Sequence, residues 1–183
     1  MPFDDGASIF ANDVVSSDRE ILTWQGFGDA SRELAQSIVD SEWMPDLIVA
    51  IARGGLIPAG ALSYAMGVKA MGTMNVEFYT GIGQTLAEPE LLPPLMDVSA
   101  LDGQRVLVVD DVADSGRTLK MVMSMIADRG LTLDGNNSSH VDARSAVLYC
   151  KPVSVITPDY VWRETDLWIN FPWSTLPTVQ SRA

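Results

Sequence analysis

Residues 106–120, VLVVDDVADSGRTLK, bring acidic and hydroxyl side chains together at a spacing that suits a polar ligand. An aliphatic run ends in Asp110 and Asp111, and Asp114 follows after two further aliphatic residues. Two adjacent carboxylates can accept hydrogen bonds from hydroxyl groups or bind a divalent cation such as Mg²⁺. The small, hydroxyl-rich turn that follows them suits an anion, so one short segment is expected to bind both kinds of group.

The turn from Asp114 to Thr118 lies where an apolar strand gives way to a helical pattern. The first backbone N–H groups of a helix lack partners within it, and they point at whatever lies beyond its N-terminus. Gly116 lets the backbone come close to such a group, and Ser115 and Thr118 add hydroxyl donors. This combination predicts a phosphate-binding turn. The alternative is that Asp114 and Ser115 only cap the helix.

Strands are expected where apolar residues run without interruption, because both faces of a strand in a parallel sheet are buried. The predicted strands are LIVAIA (47–52), a weaker segment at 69–79, RVLVVDD (105–111) and ARSAVLYC (143–150). The predicted helices are 24–43, with Asp29 or Ser31 as its cap, then 56–67, and 115 to about 129. Strands that alternate with helices predict an α/β domain with a mostly parallel sheet, which binds ligands beyond the carboxyl ends of its strands.

Three segments have the composition of loops. Residues 1–20 are polar and acidic and are expected to form an N-terminal arm, and residues 131–142 are expected to form a surface connection. The glycines and prolines of TGIGQTLAEPELLPP, residues 80–94, predict a mobile loop whose length suggests a functional role. Since no linker divides the chain, we expect a single domain over residues 1–183.

The composition disfavours several classes of function. A net charge of −12 argues against binding to nucleic acid or to anionic membranes. One cysteine, Cys150, and one histidine, His140, cannot supply a Cys/His zinc cluster. No apolar run approaches the roughly 20 residues of a membrane span, and the N-terminal sequence lacks a secretory signal pattern, so a cytoplasmic protein is expected.

VLVVDDVADSGRTL resembles, almost position for position, the signature with which the type I phosphoribosyltransferase family binds phosphoribosyl pyrophosphate (PRPP). IARGGLIPAGAL, residues 51–62, resembles the pyrophosphate loop and following helix of the family's purine-converting members. The Lys-Pro pair at 151–152 and DYVWRETDLWINFPW, residues 159–173, resemble their base-binding hood. The resemblance therefore extends well beyond the acidic segment.

The resemblance covers residues 46–175 and implies the type I phosphoribosyltransferase fold. That fold has a core, here 46–150, with a mostly parallel central sheet flanked by helices, and a small C-terminal hood, here 151–175. The implied reaction belongs to purine salvage: a 6-oxopurine (guanine, xanthine or hypoxanthine) and PRPP give a nucleoside 5′-monophosphate and pyrophosphate. Mg²⁺ is the implied cofactor, and a homo-oligomer, dimer or tetramer, is the implied assembly. Asn170 and Phe171 replace a more polar pair beside the base, which leaves the preferred base open.

The resemblance gives the three acids different roles. Asp110 and Asp111 would hold the ribose hydroxyls, directly or through Mg²⁺, and their charge suits the positive charge that develops on the ribose in the transition state. Asp114 would face the base and act as the general base. The residues expected to bind the 5′-phosphate of PRPP are Asp114, Ser115, Gly116, Arg117 and Thr118.

The resemblance also implies which residues bind pyrophosphate and which segment closes over the site. Arg53 and the backbone N–H of Gly54 would bind pyrophosphate, although Arg53-Gly54-Gly55 taken alone is compatible with an ordinary turn between a strand and a helix. The family commonly has a cis peptide before this arginine, which here would be Ala52–Arg53. The segment from Tyr79 to Pro93 would close over the site and exclude water.

For the base, the resemblance implies three contacts. Lys151 would donate to the purine O6, whereas a lysine after a strand is otherwise usually just solvated. Trp168 would stack on the base, whereas a tryptophan in an apolar segment is otherwise more often part of the core. The backbone of Ile169 would read the exocyclic edge of the base.

Two other functions fit parts of the pattern. A non-catalytic, PRPP-sensing regulator would keep the signature, but this chain also retains Arg53, Asp114 and Lys151, and it is acidic. A transferase for another base, such as a pyrimidine, is disfavoured by Lys151 and by Trp168 and Ile169 of the hood. A Walker A nucleotide-binding loop is absent from the sequence.

Overall fold

The structure, a computed structural model, describes residues 18–81, 84–95, 103–129 and 141–181. Its helices are α1 (Trp24–Asp40), α2 (Leu56–Met66) and α3 (Arg117–Arg129). Its strands are β1 (Arg19–Ile21), β2 (Leu47–Ala52), β3 (Met71–Gly81), β4 (Gln84–Leu95), β5 (Arg105–Ala113), β6 (Asp142–Cys150), β7 (Tyr160–Glu164) and β8 (Trp168–Asn170). Residues 1–17 of the predicted arm and 131–140 of the predicted surface connection lie outside the described residues.

Within the described residues, six strands form the larger sheet, in the order β4-β3-β2-β5-β6-β7. The pairs β2–β3, β2–β5, β5–β6 and β6–β7 are parallel, and β4 runs antiparallel to β3 at one edge. Helix α2 packs against β2 and β5, and helix α3 packs against β5 and β6. This arrangement confirms the predicted α/β domain with a mostly parallel sheet flanked by helices.

The central strands are buried because their side chains are apolar on both faces. LIVAIA forms β2, and its residues from Leu47 to Ile51 are each at most 4% exposed. The aliphatic part of β5 and residues 146–149 of β6 are fully buried. The residues of α3 that pack onto this core are Leu119, Val122 and Ile126. The rigid core fixes the strand ends, where the polar residues of the sequence signature lie.

Helix α1 begins at Trp24, as predicted, but the predicted caps Asp29 and Ser31 are wrong. The cap is Thr23, whose Oγ1 accepts a hydrogen bond of 3.0 Å from the backbone N–H of Gly26. Asp29 and Ser31 lie inside the helix, beyond the first turn that a cap can serve. With 17 residues, α1 is the longest described helix. No helix in the described ranges has the length and apolar character needed to cross a membrane.

Residues 80–94 do not form the predicted loop. β3 and β4 pair as antiparallel strands, with irregular register at three points between Thr73 and Gly81. The prolines are compatible with this pairing because β4 lies at the edge of the sheet, where a residue without an N–H is tolerated. Residues 82 and 83, between the two strands, lie outside the described residues. The closing of 79–93 over a ligand stays a prediction.

The described chain divides into two compact units. One unit consists of the described parts of Met1–Phe27 and Leu167–Ala183, and the other is Gly28–Asp166. The predicted hood, 151–175, contributes residues to both units, and the assignment of 1–183 to a single domain stays a prediction.

In the first unit, β1 pairs in parallel with β8. Arg19 lies opposite Trp168 and Ile21 lies opposite Asn170. The predicted arm therefore extends too far, because Arg19 already belongs to a strand. The backbone N–H of Leu22 continues the pairing with a hydrogen bond of 3.1 Å to the carbonyl of Asn170.

Candidate active site

The acid pair lies within β5 and not after it. The sequence suggested that the strand ends at Asp111, but β5 continues to Ala113, where it pairs with Cys150 of β6. The backbone N–H of Asp111 donates to Oδ1 of Asp110 at 2.9 Å. The two carboxylates are therefore carried by a strand whose neighbour fixes its register, which makes their position well defined.

Burial raises the pKa of Asp110 well above the ordinary aspartate value, and the negative charge of neighbouring Asp111 raises it further. Two adjacent carboxylates at a partly buried position are costly when both are charged. Hydrogen-bond donors or a cation at this position would reduce that cost. In the described ranges, no group of three or more His, Cys, Asp and Glu side chains is placed to hold a metal ion.

The turn after β2 lies against the acid pair. Its peptide Ala52–Arg53 is cis, which confirms the expectation from the resemblance. A methyl group on Gly54 would come within 2.5 Å of Oδ1 and Cγ of Asp111. A methyl group on Gly55 would come within 2.7 Å of the carbonyl oxygen of Ile51. Glycine is thus required at both positions for the turn to approach the acids so closely.

The predicted phosphate turn lies between β5 and α3. Helix α3 begins at Arg117, and Gly116 before it has a φ of +71°, in the left-handed region that favours glycine. A methyl group on Gly116 would come within 3.0 Å of Cγ2 of Ile156 and 3.1 Å of the nitrogen of Val155. The backbone N–H of Val155 donates to the carbonyl of Ser115 at 3.0 Å. The turn is therefore supported on one side by the segment after β6.

The cation predicted for the base lies beside the acid predicted as the general base. Nζ of Lys151 lies 3.4 Å from Oδ1 of Asp114. Asp114 follows β5 and Lys151 follows β6, and the backbone N–H of Lys151 donates to the carbonyl of Ala113 at 3.0 Å. Parallel pairing of neighbouring strands therefore brings together two residues that are far apart in sequence.

Trp168 and Ile169 belong to the other compact unit, where they form part of β8. Trp168 is 63% exposed and Ile169 is buried. The exposed indole is therefore not a core residue of that unit. In the same unit, the rings of Trp24, Phe27, Phe171 and Trp173 pack on one another.

A family model described as phosphoribosyl transferase domain matches residues 17–178. The chain belongs to the phosphoribosyltransferase family. It is 34% identical over 158 residues to the xanthine-guanine phosphoribosyltransferase of Gluconobacter oxydans, which covers 85% of this chain and 84% of that protein. The corresponding protein of Idiomarina loihiensis is 30% identical over 161 residues, or 86% of this chain and 88% of that protein.

The crystal structure of a purine phosphoribosyltransferase from Pyrococcus horikoshii has a similar fold. It superposes with a TM-score of 0.69 at 33% identity, and the match covers 90% of this chain and 99% of that chain. The fold predicted from the sequence is therefore the fold that this chain shares with the Pyrococcus horikoshii enzyme.

In the present chain, the larger unit brings residues of the predicted active site together in two places. Gly54 of the predicted pyrophosphate turn lies against Asp111 of the acid pair, and Lys151 lies against Asp114. Arg53, Ser115 and Arg117 are exposed, and Thr118 is half-buried. No described contact joins these residues to one another, so their roles as phosphate ligands stay predictions.

Sequence reasoning missed the supports of this site. Ser154, Val155 and Ile156 lie against Gly116, and Oγ of Ser154 donates to the carbonyl of Ile156 at 2.7 Å. It also missed a hydrogen bond of 3.1 Å from Nη1 of Arg19 to Oδ1 of Asn170. Neither feature has a local sequence signal, because each depends on contacts that only the folded chain creates.

Proposed function

We propose that this phosphoribosyltransferase transfers the 5-phosphoribosyl group of PRPP to a 6-oxopurine, giving a nucleoside 5′-monophosphate and pyrophosphate. The observation that carries this proposal is the 3.4 Å contact between Nζ of Lys151 and Oδ1 of Asp114. In the form that carries its imidazole proton on N7, a 6-oxopurine places an acceptor, O6, next to a donor, N7–H, so it suits a lysine and a carboxylate placed side by side. The names and identities of the relatives support the same substrate class.

In this proposal, the C-terminal end of β5 and the turn that follows it hold the ribose phosphate. Asp110 and Asp111 accept hydrogen bonds from the ribose hydroxyls. Their negative charge stabilises the positive charge that develops on the ribose as the bond from C1′ to pyrophosphate breaks. The N-terminus of α3 and its preceding turn bind the 5′-phosphate, because their backbone N–H groups are suited to an anion. The residues of that phosphate site are Asp114, Ser115, Gly116, Arg117 and Thr118.

The leaving group is bound by the turn after β2. The guanidinium of Arg53 and the backbone N–H of Gly54 donate to the pyrophosphate oxygens and so stabilise the charge that the leaving group gains. The approach of Gly54 to the Asp111 carboxylate supports this assignment, because ribose and pyrophosphate are adjacent parts of one molecule.

In this proposal, the residues that act on the base are Asp114 after β5, Lys151 after β6, and two residues of β8. Lys151 donates to O6, Trp168 stacks on the ring, and the backbone of Ile169 reads the exocyclic edge. A ring nitrogen of the purine forms the new bond to C1′ as the bond to pyrophosphate breaks. Asp114 accepts the proton that the purine loses. The purine proton goes to Asp114, and the electron pair of the broken C1′–O bond leaves with pyrophosphate. No further reactant is needed.

The acid pair fits a magnesium ion. Mg²⁺ is usually held by one or two carboxylates together with water and substrate phosphate oxygens, and Asp110 and Asp111 supply such a pair. The raised pKa of Asp110, caused by burial and by Asp111, is of the kind that a cation would offset. When bound, Mg²⁺ would neutralise part of the charge of the pyrophosphate group.

A direct assay tests the proposal. The protein is incubated with Mg²⁺, PRPP and, separately, guanine, xanthine, hypoxanthine, adenine, uracil and orotate, and nucleotide formation is followed. We expect nucleotide from one or more 6-oxopurines and little from the other bases. PRPP binding without nucleotide from any base would instead identify a PRPP-sensing regulator. Analytical ultracentrifugation would test the expected homo-oligomer.

A further inference from the structure

The small sheet of β1 and β8 carries a polar pair next to the tryptophan proposed to stack on the base. Nη1 of Arg19 donates to Oδ1 of Asn170 at 3.1 Å, across a sequence separation of 151 residues. Asn170 follows Trp168 and Ile169 directly in β8. The pair therefore lies next to the residues proposed to bind the purine. If it favours a hydrogen-bond donor or acceptor on a ligand, that preference would apply to the bound base.

The strand register places Arg19, Trp168 and Asn170 on one face. Arg19 lies opposite Trp168, and side chains two positions apart in a strand point to the same side. The residues between them, Glu20 and Ile169, also lie opposite each other and are 7% and 8% exposed. Trp168 is 63% exposed, and Arg19 is exposed as well. The sheet thus buries one face and leaves Arg19 and Trp168 exposed on the other.

The chemistry of arginine fixes the orientation of the Asn170 amide. A guanidinium can only donate hydrogen bonds, so the amide must direct its oxygen to Arg19 and its NH₂ group away from it. The outward-facing groups of the pair are therefore N–H donors from both side chains. Such a surface favours a hydrogen-bond acceptor on a ligand, and it disfavours a ligand that offers another donor at the same place.

We propose that the Arg19–Asn170 pair determines specificity at the 2-position of the purine and favours xanthine over guanine. This inference rests on the proposed function, because it takes Trp168 as the platform for the base. Xanthine carries an oxygen at C2, which accepts a hydrogen bond, whereas guanine carries an amino group, which donates. The position after Ile169, whose backbone reads the exocyclic edge, is suited to distinguish the two.

Two substitutions of Asn170 separate this role from a purely structural one. Asn170→Asp keeps an acceptor for Arg19, and so keeps the link between β1 and β8, but replaces the outward donor by an acceptor. We expect it to lower the ratio of kcat/KM for xanthine to that for guanine roughly tenfold or more. Asn170→Leu removes the donor without adding an acceptor and should lower the ratio by a smaller factor.

Arg19→Met tests the other half of the pair. Without the guanidinium the amide can rotate and present either its oxygen or its NH₂ group, so the ratio should move towards one. Gln180→Ala, an exposed change in the same unit, should leave the ratio unaltered. A pair that only links the strands would instead lower kcat/KM for both bases by the same factor, and that result would overturn the inference.

Binding of the product nucleotides gives a readout that does not require turnover. Calorimetry should show that the wild-type protein binds xanthosine 5′-monophosphate more tightly than guanosine 5′-monophosphate, and that Asn170→Asp reverses this order. Equal or tighter binding of the guanine nucleotide by the wild-type protein, or binding of neither, would refute the inference. If the expected discrimination occurs without any nucleotide formation, the inference stands and the transferase proposal fails.

Discussion

Lys151 and Asp114 form an ion pair whose two members differ in exposure. Nζ of Lys151 lies 3.4 Å from Oδ1 of Asp114, and the lysine side chain is 14% exposed against 62% for the aspartate. The lysine is thus held by its surroundings, whereas the carboxylate faces solvent and is accessible to a ligand. The pairing of Lys151 with the carbonyl of Ala113 extends the β5–β6 ladder to the lysine and sets this distance.

Replacement of Lys151 by glutamine should weaken recognition of the 6-oxo group. A hydrogen bond to a charged donor contributes about 1.5–3 kcal/mol, so kcat/KM for the preferred 6-oxopurine should fall roughly 10- to 150-fold, with little change in the KM for PRPP. Steady-state kinetics with each substrate varied in turn would measure this. Lys120→Gln, an exposed change on α3, serves as the control. A Lys151 variant with unchanged kinetics would remove this residue from the base site.

Replacement of Asp114 by asparagine should slow the chemical step. The amide cannot accept the purine proton, and loss of a general base typically lowers kcat about 10²- to 10⁴-fold. PRPP affinity, measured by calorimetry, should change far less. Asp128→Asn, which alters an exposed acid of α3, should leave kcat near the wild-type value. Full turnover by the Asp114 variant would contradict its proposed role.

Alanine substitutions at two glycines that are close in sequence should have different effects. In Gly54→Ala the new methyl group would come within 2.5 Å of the Asp111 carboxylate, so the turn or the acid must move and PRPP binding should weaken at least tenfold. In Gly60→Ala, in the middle of α2, the methyl group meets nothing within 4 Å. That change should keep PRPP affinity and raise the stability of the protein by up to about 1 kcal/mol, because alanine favours the helix. Calorimetry and thermal unfolding would measure both quantities, and equal PRPP affinities would argue against the close packing at Gly54.

A second pair of glycines separates backbone strain from steric contact. Gly103 and Gly116 have φ angles of +74° and +71°, so alanine at either position should cost about 1–2 kcal/mol of stability. At Gly103 the methyl group meets nothing within 4 Å, whereas at Gly116 it would press on Val155 and Ile156. Gly116→Ala should therefore lower the stability further and also weaken PRPP binding. Urea unfolding of both variants measures the difference, and equal losses would show that the contact with 155–156 is unimportant.

The thiol of Cys150 should be unreactive in the native protein. Burial raises its pKa, and the charge of Glu164 raises it further, so less thiolate forms at a given pH than in the unfolded chain. Since the unfolded thiol ionises first, the stability contributed by this group is present below the ordinary thiol pKa and is lost as the pH rises through the folded value. Ellman's reagent at pH 8 should react slowly with the native protein and rapidly in urea. Rapid reaction in both conditions would contradict the buried position.

The parts of the fold that could be predicted from sequence are those with a local physical cause. LIVAIA reads as a buried strand because apolar residues fill both of its faces, and β2 has the predicted bounds. Gly67 was expected to end a helix, and it does so with a φ of +73°. The cis peptide Ala52–Arg53 was confirmed as well, although it followed from family resemblance and not from the residues alone.

Most features that the sequence did not reveal depend on neighbours that are distant in sequence, whereas the cap of α1 was a local error. Prolines in 80–94 suggested a loop, and nothing local indicated that this segment lies at the edge of a sheet, where prolines are tolerated. Asp29 and Ser31 are good capping residues by type, but Thr23 precedes them and already serves the first turn of α1. The contact between Lys151 and Asp114 required the register of β5 and β6, which no single segment contains.

The pairing of β1 with β8 also has a consequence for the order in which the protein is made and folds. The hydrogen bond between Arg19 and Asn170 can form only after Asn170, 151 residues later in the chain, has been synthesised. A three-residue strand has little stability without its partner, and closing so long a loop is slow. We therefore expect the surface that carries Trp168 to be completed last, after the sheet of the larger unit has formed. A stalled or truncated chain could then assemble the acidic segment of β5 while lacking the means to select a base.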